Sequence, residues 1–208
     1  MYQPQNLRFN HSAVALPANA RETLFIRGEP CESIYEIRRG IVRAVDVSEE
    51  GDRQVMAFFF PGDFVGLPLT SGHRYSTEAV GPLLYARHSL RRWRHELSCT
   101  EQDENWANEA IWREEKAFMQ RGLILGRVGA LARVSAFLSY AGRHLPQREE
   151  VFEFPFPQAD VASYLALSPE TVCRMLRQLR EARVISMPHK NRVIMQRPDR
   201  LAQMANGL

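Results

Sequence analysis

Glu170 and Arg174 stand four residues apart in the run Ser168-Pro169-Glu170-Thr171-Val172-Cys173-Arg174. On an α-helix that spacing projects both side chains from one face. A carboxylate there can accept a hydrogen bond from the N4 amino group of cytosine. A guanidinium can grip O6 and N7 of guanine through a bidentate fork, so the pair suits a major groove with adjacent G·C information. Cys173, Arg177 and Glu181 share this polar face, while Val172, Met175, Leu176 and Leu179 fall at i, i+3, i+4 and i+7 on the other. An ordinary amphipathic helix with a solvated charged face has the same period, so the pattern by itself leaves both meanings open.

The neighbouring residues define the elements that must hold this pair. Ser168 suits the N-cap, where its hydroxyl accepts an orphan N–H, and Pro169 suits the first helical position, where a missing N–H costs nothing. Upstream, Val161, Tyr164 and Leu165 put an apolar stripe on a shorter helix, so Gln158 to Arg183 reads as a helix-turn-helix. Ala166 occupies the turn; if that position takes a positive φ, its Cβ costs about 1 kcal/mol relative to glycine. Val184–Met187, the loop Pro188–Asn191 and Arg192–Met195 read as a hairpin, the wing that follows such a motif. Lys190 and Arg192 can touch phosphate there, and Ser168, Thr171 and Arg177 suit phosphates better than bases. Val151–Phe154 alternates like a strand, and Pro198–Met204 suggests a short closing helix.

Further upstream the pattern changes. After a lead-in of unclear period, residues 1–20, short apolar runs alternate with turns up to about His88. Gly28, Gly40, Gly51 and Gly62 recur at spacings of 12, 11 and 11, with Leu24–Ile26, Ile34–Ile37, Ile41–Val45 and Val55–Phe60 between them, and a last strand expected over Leu83–Arg87. Regular short strands argue for a compact β-barrel or roll. A polar-and-aromatic segment, residues 89–97, precedes a long helix over Asp103–Leu125. In it Ala107, Ile111, Phe118 and Leu125 sit near heptad spacing, with Glu114 and Arg121 interrupting the stripe. That seam predicts a parallel dimer contact, with packing on the helix's own roll as the alternative. A further amphipathic helix is expected over Gly126–His144, carrying Val128, Leu131, Val134, Phe137, Leu138 and Ala141 on one face.

The whole chain narrows the function classes. Its 208 residues, 45% hydrophobic, can hold one large or two ordinary domains. The net charge is only +3 but unevenly placed: residues 1–126 hold 15 basic against 17 acidic side chains, residues 127–208 hold 12 against 7. The basic excess therefore accompanies the helix-turn-helix, as phosphate contact requires. No stretch approaches the ~20 apolar residues of a membrane span, and the N-terminus lacks a signal-peptide pattern, so a cytoplasmic protein is expected. Cys31, Cys99 and Cys173 are scattered, with no CxxC metal spacing and no disulfide framework. Neither clustered metal ligands nor a nucleophile–base arrangement is readable, which argues against an enzyme.

Barrel, long helix and winged helix-turn-helix, in that order, resemble the CRP/FNR family of bacterial transcription regulators over roughly Arg21 to Met195. The pieces that carry the resemblance are Gly40, the run Gly62-Asp63-Phe64-Val65-Gly66, the run Gly126-Arg127-Val128-Gly129-Ala130-Leu131-Ala132-Arg133-Val134, and Glu170-Thr171-Val172-Cys173-Arg174. The branch it resembles most is the FixK/FNR type without the iron–sulfur cysteines. The resemblance implies an α+β fold: a β-roll of the cyclic-nucleotide-binding jelly-roll kind over residues 1–102, a dimerisation helix over 103–126, and a winged helix-turn-helix over 127–208. It implies a homodimer on double-stranded DNA with palindromic, TTGAT-like half-sites, RNA polymerase as a further partner, and base contacts from Glu170 and Arg174. Two departures bear on base choice. Pro169 stands where the cyclic-AMP receptor has Arg, and Cys173 where FNR-type proteins usually have Ser.

The roll offers less to a ligand. A cyclic-nucleotide site of this family resembles a Gly-Glu pair followed by Arg-Ser, whereas here Gly66 is followed by Leu67, and Arg74 by Tyr75 at a shifted spacing. Leu67 cannot take the ribose role. Three cysteines cannot supply the four thiolates of an FNR-type cluster. His73, His88 and His95 are the candidate haem ligands, but lone histidines on barrels are usually solvated or hydrogen-bonded. The expectation is a regulator with no cofactor. The alternatives are gating by a cyclic nucleotide or haem, or thiol-redox gating at Cys173, where oxidation to sulfenate or beyond would set negative charge against phosphate.

Overall fold

Ile34, Ile37, Val42, Val45 and Val55 are β-branched residues flanking turn glycines, and they form strands accordingly. The structure, a computed structural model, describes residues 13–91, 101–148 and 150–207. His95 and Cys99 lie outside the described residues, as do most of the polar segment 89–97 and of the lead-in. The chain divides into two compact units, Met1–Asp52 with Met56–Phe118, and Arg53–Val55 with Met119–Leu208. The long helix α1 (Glu101–Leu125) is therefore not a domain of its own, and the boundary between units falls within it.

The first unit is a roll of two antiparallel sheets. One has the order β1 (Ala15–Ala18), β7 (Leu83–Ser89), β2 (Ser33–Arg39), β5 (Phe64–Val65); the other β4 (Arg53–Phe59, which enters this unit at Met56), β3 (Val42–Val47), β6 (Ser76–Ala79). Phe25, Tyr35, Ile37, Val42, Ala44, Phe59, Tyr75 and Leu83 fill the space between them, joined by Ala117 and Phe118 of α1. Gly40 makes the β2–β3 turn at φ 91°, and a Cβ there would stand 2.5 Å from the carbonyl oxygen of Pro82, so only glycine fits.

Three local expectations are corrected. Leu24–Ile26 is not a strand; Thr23 makes only an isolated bridge with Glu78, and the N–H of Phe25 donates to Thr77 Oγ1 instead. Part of the lead-in is structured, because β1 pairs with β7 from Ala15↔Ala86 to Ala18↔Leu83. The helix expected from Gly126 begins at Ala130, since Gly129 at φ 87° lies outside helical space, and Val128 is 90% exposed rather than on the apolar face.

The second unit contains α2 (Ala130–His144), β8 (Gln147–Arg148), β9 (Val151–Glu153), α3 (Gln158–Leu165), α4 (Pro169–Glu181), β10 (Ile185–His189), β11 (Arg192–Met195) and α5 (Pro198–Ala205). Its core is aromatic: Phe137 packs edge-on against Phe156 at 5.3 Å between ring centres and meets Tyr164 at 5.5 Å. α2 lies against α4 and α5, and the antiparallel sheet β10-β11-β9-β8 completes the unit. No helix of the described residues is long and apolar enough to cross a membrane.

Candidate nucleic-acid interface

α4 is a short helix with two sharply different faces. Val172, Met175, Leu176 and Leu179 are buried, each worth on the order of 2 kcal/mol of apolar transfer. Pro169, Glu170, Cys173, Arg174 and Arg177 are exposed, and Thr171 is half-buried. The N-terminus is capped as its residues require: Ser168, extended at φ −79°, ψ 153°, accepts from the N–H of Thr171 at 3.2 Å. The Ser168 hydroxyl also lies 3.1 Å from Thr171 Oγ1. Its own backbone N–H and the Ser168 hydroxyl hold the Glu170 carboxyl below the usual glutamate range. Glu170 thus stays an ionised acceptor, the form needed to receive an amino hydrogen.

α3 is joined to α4 by a tight turn through Ala166, which is left-handed at φ 51°, ψ 50°. This turn position does take a positive φ, and a residue with a Cβ carries it. Beyond α4, the N–H of Val184 returns to Leu179 O at 3.0 Å and stops the helix. The chain then forms the β10–β11 hairpin, with Ile185↔Met195 and Ser186↔Ile194 in register and an irregularity between Ser186 and His189. Its first strand runs two residues further than the sequence suggests, so Lys190 and Asn191 alone make the tip. Lys190 and Arg192 are both exposed.

The side chains expected on a dimer seam of α1 lie elsewhere. Ala107 is buried in a cluster with Ile34, Phe64 and Leu67, and Ile111 packs on the same cluster. Phe118 packs on the core of the roll, 5.1 Å from Tyr75 between ring centres, and Leu125 is half-buried. The apolar residues that α1 leaves exposed are Trp112 (57%), Met119 (47%) and Leu123 (66%), spaced i, i+7, i+11 on one face. Periodicity finds an apolar stripe but does not say which of two stripes faces inward.

Glu114, the interruption in that stripe, is only 2% exposed. Tyr75 donates to its carboxyl, and the guanidinium of Arg74 lies 3.5 Å away. Burial pushes the Glu114 carboxyl up to about 7 and also raises the Tyr75 hydroxyl. Arg74 bonds Glu115 at 2.6 Å, and both line a pocket of about 340 Å³ with Arg27, Asp46, Met56 and Phe118, where Arg27 pairs with Asp46 at 2.6 Å. A cyclic nucleotide does not fit these residues well. Arg74, the residue nearest the family motif's arginine, is already held by two carboxylates, and Leu67 is buried in the roll.

The two candidate histidines among the described residues are likewise engaged. His73 stacks on Phe25 at 3.8 Å, and burial lowers its basicity; His88 is buried 3.2 Å from Glu36. Among the described residues no group of three or more His, Cys, Asp or Glu is arranged to hold a metal. Cys31 is buried with its thiol directed at Gly66 O, while Cys173 is exposed.

Comparison with known proteins bears on both units. Residues 132–204 match the Crp-like helix-turn-helix domain and residues 16–87 the cyclic nucleotide-binding domain. The nitrogen fixation regulation protein FixK of Azorhizobium caulinodans is 32% identical over 186 residues, 83% of this chain and 71% of that protein. FixK of Bradyrhizobium diazoefficiens is 28% identical over 184 residues, 87% of this chain and 78% of that protein. The solved structure of FixK2 from Bradyrhizobium japonicum superposes with a TM-score of 0.86 at 26% identity, covering 92% of this chain and 96% of the other.

Proposed function

Because this chain belongs to the CRP/FNR family of transcription regulators, with a helix-turn-helix DNA-binding domain, we propose that α4 reads a palindromic operator with TTGAT-like half-sites through Glu170 and Arg174. The observation that carries this is the division of α4 into a buried apolar face and an exposed face bearing an ionised carboxylate and a guanidinium four residues apart. Glu170 accepts from a cytosine amino group and Arg174 grips guanine. Ser168, Thr171, Arg177, Lys190 and Arg192 contact phosphate, and Pro169 and Cys173 border the base-reading pair. The protein acts in the cytoplasm as a homodimer, with RNA polymerase as its further partner. The dimer seam we assign is Trp112, Met119 and Leu123, whose exposure and spacing suit a parallel helix pair better than Ala107, Ile111 and Phe118 do.

No cyclic nucleotide or haem gates the regulator; the engagement of Arg74, His73 and His88 with protein partners supports this. In-vitro selection of operators from random duplexes by the untreated protein is the test. Enrichment of a two-fold-symmetric site without added effector is expected. Enrichment only after addition of a cyclic nucleotide would replace this mode of action with a ligand-gated one.

A second mode of control is favoured by the exposure of Cys173 beside Arg174 on the polar face. Oxidation of that thiol to a sulfenate or sulfinate would place an anion against the DNA backbone and weaken binding. Peroxide should therefore lower the affinity of the wild type and leave Cys173→Ser unchanged; equal losses in both would remove the role.

A further inference from the structure

The last four carbonyls of an α-helix have no partner within it and must find one outside. In α3 these belong to Ala162, Ser163, Tyr164 and Leu165. The turn supplies two: Leu167 N–H donates to Ala162 O at 3.0 Å and Ala166 N–H to Ser163 O at 3.3 Å. Further on, Pro169 has no N–H, Thr171 N–H bonds the Ser168 side chain and Val172 N–H bonds Ser168 O. Tyr164 O instead accepts from Nε of Arg121 at 2.9 Å, and Leu165 O from Nη1 of Arg133 at 3.5 Å. Neither arginine belongs to the helix-turn-helix. Arg121 comes from α1 and Arg133 from α2, and Arg133 Nε also bonds Arg127 O at 3.2 Å. Both are half-buried, and both place a cation at the negative end of the α3 dipole.

We propose that Arg121 and Arg133 are positioning residues for DNA reading, clamping the C-terminal end of α3 and so setting the direction in which α4 leaves the turn. The proposal rests on α4 being the base-reading helix. Only Ala166, Leu167 and Ser168 separate the clamped carbonyls from Pro169, and Ala166 is held left-handed. Any rotation of the last turn of α3 therefore passes directly to Glu170 and Arg174. Loss of a guanidinium need not unfold the unit: Tyr164 and Leu165 are buried, but the arginines are half-buried, so water can enter where a guanidinium stood. It frees the turn, and base contacts depend on its angle while long-range attraction to phosphate does not.

The test uses the full chain on its selected operator and on a duplex altered at the G·C step. Arg121→Met should weaken operator binding about tenfold, equivalent to losing one good hydrogen bond's worth of positioning. It should narrow the ratio of specific to non-specific affinity and leave the salt slope unchanged, since no phosphate contact is lost. Arg121→Lys, which keeps a charge and a donor, should restore most of the affinity. Arg133→Met should cost less, about threefold, because its bond is longer. A folded Arg121→Met protein with wild-type affinity and selectivity overturns the proposal, and so does a weakened one with a shallower salt slope, which would make Arg121 a phosphate contact. If Arg121→Met does not fold, Arg133→Met decides: reduced selectivity at constant slope supports the clamp, and wild-type selectivity overturns it. Failure of the wild type to select any operator is a distinct result, and overturns the base-reading role of α4 together with the clamp.

Discussion

The roll and the reading helix treat their arginines in opposite ways. In the roll, Arg27, Arg43 and Arg74 each lie 2.6–2.7 Å from a carboxylate, those of Asp46, Glu78 and Glu115. On α4, Arg174 and Arg177 are exposed and make no ion pair among the described residues. The Arg43–Glu78 pair is largely buried; the more exposed Arg27–Asp46 and Arg74–Glu115 pairs contribute little stability and mainly withdraw charge from any anion that enters the pocket they line. Charge left open on a helix whose other face is anchored in a core is available to an outside polyanion at a fixed geometry. The same side chain serves the fold in one unit and a partner in the other.

The fixed geometry of the open charge depends on the apolar anchor of α4. Leu179→Ala removes a fully buried side chain of α4 and should cost about 3 kcal/mol, read as a lower urea midpoint. A loss under 0.5 kcal/mol would mean that α4 is not held by its apolar face.

Glu114 offers a pH test in the roll. Its carboxyl is raised from 4.5 to about 7 by burial, so the folded state favours the protonated form. The stability this provides is complete below about pH 4.5 and is lost as pH rises through about 7, in total on the order of 3 kcal/mol. Asp63, raised to about 6 chiefly by burial, adds to the same trend. Urea midpoints should therefore fall between pH 5 and pH 8, and Glu114→Gln should flatten the fall. An unchanged profile in Glu114→Gln would show that the buried carboxyl is not its source.

A smaller effect sharpens the account of the turn. Ala166 holds a left-handed conformation at φ 51°, so Ala166→Gly should stabilise the protein by about 1 kcal/mol, the relief of Cβ strain outweighing the added freedom of the unfolded chain. Destabilisation by this substitution would contradict the strain.

What the sequence made legible follows from which forces are local. The capped, amphipathic α4, the turn at Ala166 and the wing are set by residues within a few positions of one another, and the structure has them where period and capping imply. The two-residue β5, and Leu24–Ile26, which bonds Thr77 through Phe25 without forming a strand, depend on register with distant strands, which short apolar runs do not specify. The long helix was legible as a helix but not in its orientation. Glu114 and Arg121 look like flaws in an apolar seam until their partners appear 39 and 43 residues away in sequence: Tyr75, which donates to Glu114, and Tyr164, whose carbonyl accepts from Arg121. Such partners leave no periodic trace.

The most direct test of α4 as the reading head is an affinity series for wild type and Arg174→Ala on the selected operator and on duplexes mutated at each half-site position, at fixed salt. Wild type should lose about 1–3 kcal/mol when the contacted G·C pair is changed, and Arg174→Ala should bind original and changed duplexes alike. Arg177→Ala provides the contrast, weakening every duplex equally and lowering the salt slope by about one contact. Retention of the wild-type base preference by Arg174→Ala would contradict the assignment of the exposed α4 face as the surface that reads sequence.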